Sequence, residues 1–164
     1  MNAEVPTILY RAYGESSGST FSETTGFVAR DSASDYKIDA TQLGNHLCWG
    51  LRKPTVFVST TSSYDNASTM VNAIRKWYGK QEIVYIAKIS TRGMSSALRP
   101  YHMLSLAEKL SVDVERKACN PAEYLFVQHI PVAFVAEVYR IAARKATIAF
   151  GYRRKTTGEM INRQ

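Results

Sequence analysis

Residues 45–63 read NHLCWGLRKPTVFVSTTSS, and the change of pattern inside that stretch decides the fold. Its first part closes a helical segment, 39–51, in which Leu43, Leu47 and Leu51 recur one turn apart with His46 and Trp49 beside them. Lys53-Pro54 stops that helix, because proline lacks the N–H that would continue the ladder. The next five residues, 55–59 (TVFVS), are β-branched and aromatic and predict a short buried strand. A run of hydroxyls follows, and Ser62 or Ser63 then caps a second helix. The apolar stripe of that helix is Ala67, Met70, Val71, Ile74, Trp77 and Tyr78, and Gly79 ends it.

Working outward, 7–13 (TILYRAY) predicts a strand from its β-branched and aromatic content. Residues 14–26 (GESSGSTFSETTG) form a polar loop, with a short strand at 27–30 beyond it. Residues 82–89 (EIVYIAKI) are apolar at nearly every position, as a strand buried on both faces must be. A loop at 91–100 follows. Ser105 and Glu108 have the S-x-x-E spacing of a capping box at the start of a short helix, SLAEKL. The polar stretch 111–122 leads into a strand at 123–127 (EYLFV), Ile130-Pro131 turns the chain, and 133–141 (AFVAEVYRI) alternates as a partner strand. Residues 145–150 read equally as a strand or a helix end. The sum is an α+β domain of about six strands with flanking helices, without repeats or low-complexity tracts.

With 164 residues, 45% hydrophobic and 21% charged, the chain is one domain large enough to bury a core. No apolar run approaches the ~20 residues of a membrane helix. The first residues show no basic stretch followed by an apolar one, so no signal peptide is visible. Cys48 and Cys119 form no CxxC and no zinc spacing. An intracellular protein, cytoplasmic or nuclear, is expected, or a mature form without its leader. The net charge of +7 is uneven: residues 1–139 carry 14 basic and 13 acidic groups, whereas 140–164 carry seven basic groups against Glu159 alone. The expected division is a domain at 1–141 and a basic extension at 142–164. Such an extension contacts nucleic acid, an import receptor or an acidic partner, or simply remains solvated.

Three residues carry chemistry. Arg11 interrupts an apolar strand, where a guanidinium must meet an acid or open onto a cleft, and its planar fork suits a pyrophosphate or ribose. An edge-strand arginine facing water would fit the same pattern. Ser59, Thr60 and Thr61 stand where a strand runs into a helix N-terminus, a place that attracts anions; plain capping needs only one hydroxyl. Glu123 opens an apolar strand, where a carboxylate can accept a ribose hydroxyl and stabilise a developing sugar cation, or face solvent. His46, His102 and His129 lie far apart without metal-ligand spacing, so no metal is expected, and Trp49 and Trp77 read as core. No G-x-G-x-x-G or P-loop is present.

The order of these segments resembles ADP-ribosyltransferases of the R-S-E type: a strand with arginine, a strand running into S-T-S before a helix, and a strand opening on glutamate. The stretch from about Ile8 to Ile141 is similar to uncharacterised, mainly fungal, ADP-ribosyltransferase-like domains, which share the phrases seen here as NHLCWGLRKPTVFVSTTSS and PAEYLFVQHIP. The resemblance implies a split β-sandwich and NAD as substrate. It makes Arg11 the binder of the NAD phosphates and ribose, Ser59 with Thr60 and Thr61 the residues orienting Arg11 and Glu123, and Glu123 the catalytic residue. Tyr64 would stack on nicotinamide, and the loop 111–122 would stand where the family recognises its target. Two departures matter. The middle motif is Ser59-Thr60-Thr61 rather than S-T-S. Pro121 stands two before Glu123, where arginine-modifying members carry Glu or Gln. The implied function is therefore ADP-ribose transfer to a macromolecule other than through arginine, a protein acceptor being favoured over nucleic acid, or NAD hydrolysis. The alternative is a fold without catalysis that binds a protein or ligand.

Overall fold

The computed structural model describes residues 4–32, 35–48, 53–114, 120–142 and, as backbone only, 151–153. Trp49, Leu51, Cys119, the stretch 145–150 and the rest of the basic extension lie outside the described residues. The strands are β1 (Ile8–Gly14), β2 (Phe21–Ser22), β3 (Gly26–Val28), β4 (Phe57–Thr61), β5 (Val84–Ser90), β6 (Tyr101–His102), β7 (Glu123–Val127), β8 (His129–Ile130), β9 (Val135–Ile141) and β10 (Gly151–Arg153). The helices are α1 (Ala40–Leu47), α2 (Tyr64–Tyr78) and α3 (Met103–Lys109).

A main antiparallel sheet runs β10-β9-β5-β1-β4-β7-β6, and a small one runs β2-β3-β8. This is the expected α+β sandwich. The strands beyond the expected number are two or three residues long, too short to show a period of two. β2 lies inside the stretch read as a polar loop, and β10 inside the stretch set apart as an extension. Among the described residues no helix is long and apolar enough to cross a membrane.

The pleat sends alternate side chains to two cores. On one face Leu9, Tyr13, Val58, Phe126, Ala87 and Ile89 meet Phe27 and Ile130 of the small sheet. On the other, Val71 and Ile74 of α2 pack on Val84 and Ile86, while Leu43 of α1 and Met103 and Leu106 of α3 pack on Phe57 and Leu125. Burying such side chains is worth roughly 1.5–3 kcal/mol each. Gly26, at φ +83°, lets β3 lie directly against the β8 backbone, since a Cβ there would clash with the Ile130 carbonyl oxygen.

Three expectations need correction. Ser105 does not cap α3: the helix begins at Met103, its N-cap is His102, and the Ser105 hydroxyl lies 3.1 Å from His102 Nδ1 instead. Trp77 is not core, being 42% exposed in the last turn of α2. The strand predicted at 55–59 lies two residues later, because its bounds are set by pairing with β7, from Phe57↔Val127 to Thr61↔Glu123. Ser63 caps α2 as expected, its side chain accepting from Asn66 N.

Candidate functional site

The site arises where two strands part. β1 pairs along all seven of its residues with β5, but with β4 at one pair only, Tyr10↔Thr61. Past that pair β1 and β4 diverge, and Arg11 fills the gap. Its Nη1 donates to Ser59 O at 2.8 Å and its Nη2 to Ser19 O at 3.1 Å. The guanidinium carbon stands 5.2 Å over the Phe27 ring. Arg11 Nε is buried without a hydrogen-bond partner, and among the described residues no carboxylate pairs with Arg11. Burial lowers its pKa to about 10, only partly opposed by Tyr13.

On the other side of β4, Thr61 lies opposite Glu123 and Ser59 opposite Leu125. Two-residue periodicity therefore places Ser59 and Glu123 on one face. Glu123 is 7% exposed. Desolvation raises its carboxyl above the usual range, and a hydrogen bond from Ser59 partly restores the charged form. The turn before Glu123 is tied down from several sides. Asn66 of α2 donates to Asn120 Oδ1 at 2.9 Å, Ala122 N donates to the same oxygen at 3.0 Å, and Ser62 N donates to Ala122 O at 2.9 Å. His102 Nε2 lies 2.9 Å from the Pro121 carbonyl, with its ring tilted against Tyr124. These bonds fix the backbone of the 120–122 turn and with it the place where Glu123 enters β7.

Sequence reading missed His46. It projects from α1 with Nδ1 2.8 Å from Thr55 Oγ1 and Nε2 2.6 Å from Ser59 Oγ. Burial, and then the charge of Arg11, push its pKa down to about 4, so the ring is neutral near pH 7. One signal was available: His46 follows Leu43 by three residues, on the helix face that meets the sheet, where a neutral imidazole needs both a donor and an acceptor partner. Thr55 and Ser59 supply them across the turn.

Arg11, Ser59, Thr60, Thr61 and Glu123 all line one cavity of about 610 Å³, as do His46, Asn120, Tyr10, Trp77 and Tyr78. Thr60 donates its hydroxyl to Tyr124 O at 2.9 Å, and Thr61 Oγ1 accepts from Ser63 N at 3.2 Å. Both hydroxyls thus serve the framework. Tyr64 is not part of the lining: it is 41% exposed and stands edge-on to Tyr10, with ring centroids 5.4 Å apart. Among the described residues no group of three or more His, Cys, Asp or Glu is placed to hold a metal ion.

The family model described as a domain of unknown function, DUF7587, matches residues 4–144. The chain belongs to that family. No curated protein matches it. Among solved structures it is similar to a variant of the Scabin toxin from Streptomyces scabies, at 20% identity and a TM-score of 0.52 over 89% of this chain and 73% of that one. It is also similar to EcPltA, at 15% identity and a TM-score of 0.53 over 83% and 76%. A third relative is the Scabin toxin in complex with NADH, at 18% identity and a TM-score of 0.50 over 89% and 72%. At these identities the likeness is one of fold, and the fold is ADP-ribosyltransferase-like.

Proposed function

We propose that this chain splits NAD at the nicotinamide–ribose bond and passes ADP-ribose to a macromolecular acceptor other than arginine. The observation that carries the reading is the meeting of Arg11, Ser59 and Glu123 on one cavity. The residues fit a dinucleotide. The cavity volume of about 610 Å³ lies within the range of small-molecule sites, and Arg11, buried at Nε and unpaired with any described acid, suits a phosphate. The Scabin complex with NADH shows a dinucleotide on the same fold.

NAD supplies a ribose carbon bonded to an already cationic nicotinamide nitrogen, so that bond breaks with its electron pair moving to nitrogen and needs no acid. The chain's part is electrostatic. Arg11 anchors the phosphate and ribose end. Glu123, aimed by the 120–122 turn and by Ser59, faces the ribose and stabilises positive charge as it develops there. The acceptor then bonds to the same carbon and gives up its proton. Pro121 supports a non-arginine acceptor: it is exposed, its carbonyl is held by His102, and it offers no carboxylate or amide to a guanidinium. A protein acceptor is our preference over nucleic acid. The working unit is 1–141, with 142–164 as its basic extension.

Nicotinamide release by the purified chain, compared with Glu123→Ala, tests the reading. The expected loss is roughly a hundredfold to a thousandfold, the scale of removing one preorganised stabilising group. Equal rates in the two proteins would refute it. The absent second acid before Glu123 favours a rival, a binding module without catalysis, for which calorimetry should detect no NAD binding.

A further inference from the structure

The strip Ser17-Gly18-Ser19 lines the cavity without a part in the scheme above. Its hydrogen bonding is incomplete. The Ser19 carbonyl accepts from Arg11 Nη2 at 3.1 Å. The Ser19 hydroxyl, on a residue only 9% exposed, is buried without a hydrogen-bond partner, as is Arg11 Nε. Ser17 Oγ accepts from Gly14 N at 2.8 Å, which leaves its own proton to give.

A second guanidinium crosses the same strip. A Cβ built on Gly18 would clash with Cδ and Nε of Arg30, so the Arg30 side chain lies directly on the Gly18 backbone. Arg30 stands two residues past β3, and it lines the cavity with Lys53. The two segments are tied together, because Asp31 N donates to Thr55 O at 3.2 Å. Consecutive Cα atoms are about 3.8 Å apart, so Gly18 and Ser19 hold Arg30 and Arg11 on neighbouring residues. Among the described residues lining the cavity, Arg11, Arg30 and Lys53 face a single carboxylate, Glu123, whose charge burial disfavours. The field in the cavity is therefore positive.

We infer that Arg30, seated on Gly18, is the second arm of a diphosphate subsite. The diphosphate of the dinucleotide lies along 17–19 between Arg11 and Arg30 and takes hydrogen bonds from the Ser17 and Ser19 hydroxyls, with Lys53 as a third positive charge. The inference deepens the proposed activity and rests on that reading for the ligand, but its donors recognise a diphosphate as such. Arg11 has both Nη groups committed to carbonyls, whereas Arg30 is exposed and brings its planar fork to the phosphate. A rotation about χ1 turns the Ser19 hydroxyl toward the ligand.

Calorimetry with ADP-ribose, and 31P resonance titration with inorganic pyrophosphate, test the subsite apart from catalysis. Arg30→Gln should weaken ADP-ribose binding roughly tenfold, the loss of one charge-assisted contact, and Lys53→Gln roughly threefold. Pyrophosphate binding should weaken in the same order. In turnover the Arg30→Gln loss should fall on KM for NAD rather than on kcat. Gly18→Ala keeps the guanidinium but unseats it, and a flexible side chain gives way there rather than backbone. Its loss should approach that of Arg30→Gln, and the double variant should lose no more than Arg30→Gln alone. A merely structural Arg30 would lower the urea midpoint and leave ligand affinity unchanged. Unchanged ADP-ribose affinity in Arg30→Gln, or a wild type that binds no pyrophosphate, overturns the inference. Additive losses in the double variant overturn the seating of Arg30 on Gly18. If Gly18→Ala does not fold, Arg30→Gln alone decides. If the wild type binds pyrophosphate through Arg30 but releases no nicotinamide, the proposed function fails and the subsite stands.

Discussion

The neutral His46 makes a quantitative prediction about acid stability. Its pKa falls from 6.5 in the unfolded chain to about 4 in the folded one. Above pH 6.5 neither state binds this proton. As pH falls below 6.5 the unfolded chain takes it up and the folded chain does not, so the unfolded state gains and stability is lost until pH passes about 4. The full loss is roughly 3 kcal/mol. More than half of it, roughly 2 kcal/mol, is lost between pH 7 and pH 5. Glu123 acts in the opposite sense. Its raised carboxyl is more easily protonated when folded, so its contribution to stability grows as pH falls. The raw pH curve of the wild type is thus a sum, and the comparison with His46→Gln isolates the imidazole. Urea unfolding followed by far-UV circular dichroism at both pH values is the assay. The wild type should lose roughly 2 kcal/mol more than His46→Gln between pH 7 and pH 5. Parallel losses in the two proteins would refute the reasoning, because they would mean that His46 titrates alike in both states.

Arg11→Met should separate binding from folding. The change removes a cation that burial disfavours, its pKa lowered to about 10, and with it two bonds to carbonyls worth roughly 1.5–3 kcal/mol each, so the two effects oppose one another. The urea midpoint should therefore shift little, while calorimetry should show NAD affinity falling at least about tenfold. A protein that keeps NAD affinity but loses stability would make Arg11 a structural residue. Gly26→Ala should cost at least about 2 kcal/mol in the same unfolding assay, from a positive φ and the clash with the Ile130 carbonyl; an unchanged midpoint would show that β3 and β8 can separate freely.

Local chemistry made much of this protein readable from its residues. The stripe from Ala67 to Ile74 and the cap at Ser63 predict α2, because both depend on neighbours three and four residues apart. EYLFV marks β7 with its bounds intact, since every residue but the last is buried. The two-residue strands β2, β6 and β8 escaped because nothing so short has a period. Ser105 and Glu108 misled because their spacing is local, whereas the start of α3 is set by the core positions of Met103 and Leu106. Arg11, Ser59 and Glu123 were marked by type and by their order along the chain, although the structure puts Arg11 and Ser59 in the middle of β1 and β4 and only Glu123 at a strand end.

What the chain alone determined, then, was which residues could bear charge or a hydroxyl and on which strands they stand. Their convergence depends on the parting of β1 from β4 after a single pair, and on the register that sets Thr61 opposite Glu123. His46 entered the site, and Tyr64 stayed outside it, through the packing of α1 and α2 against that sheet. Periodicity tells a side chain which face to take, but only pairing and packing tell it what stands across from it.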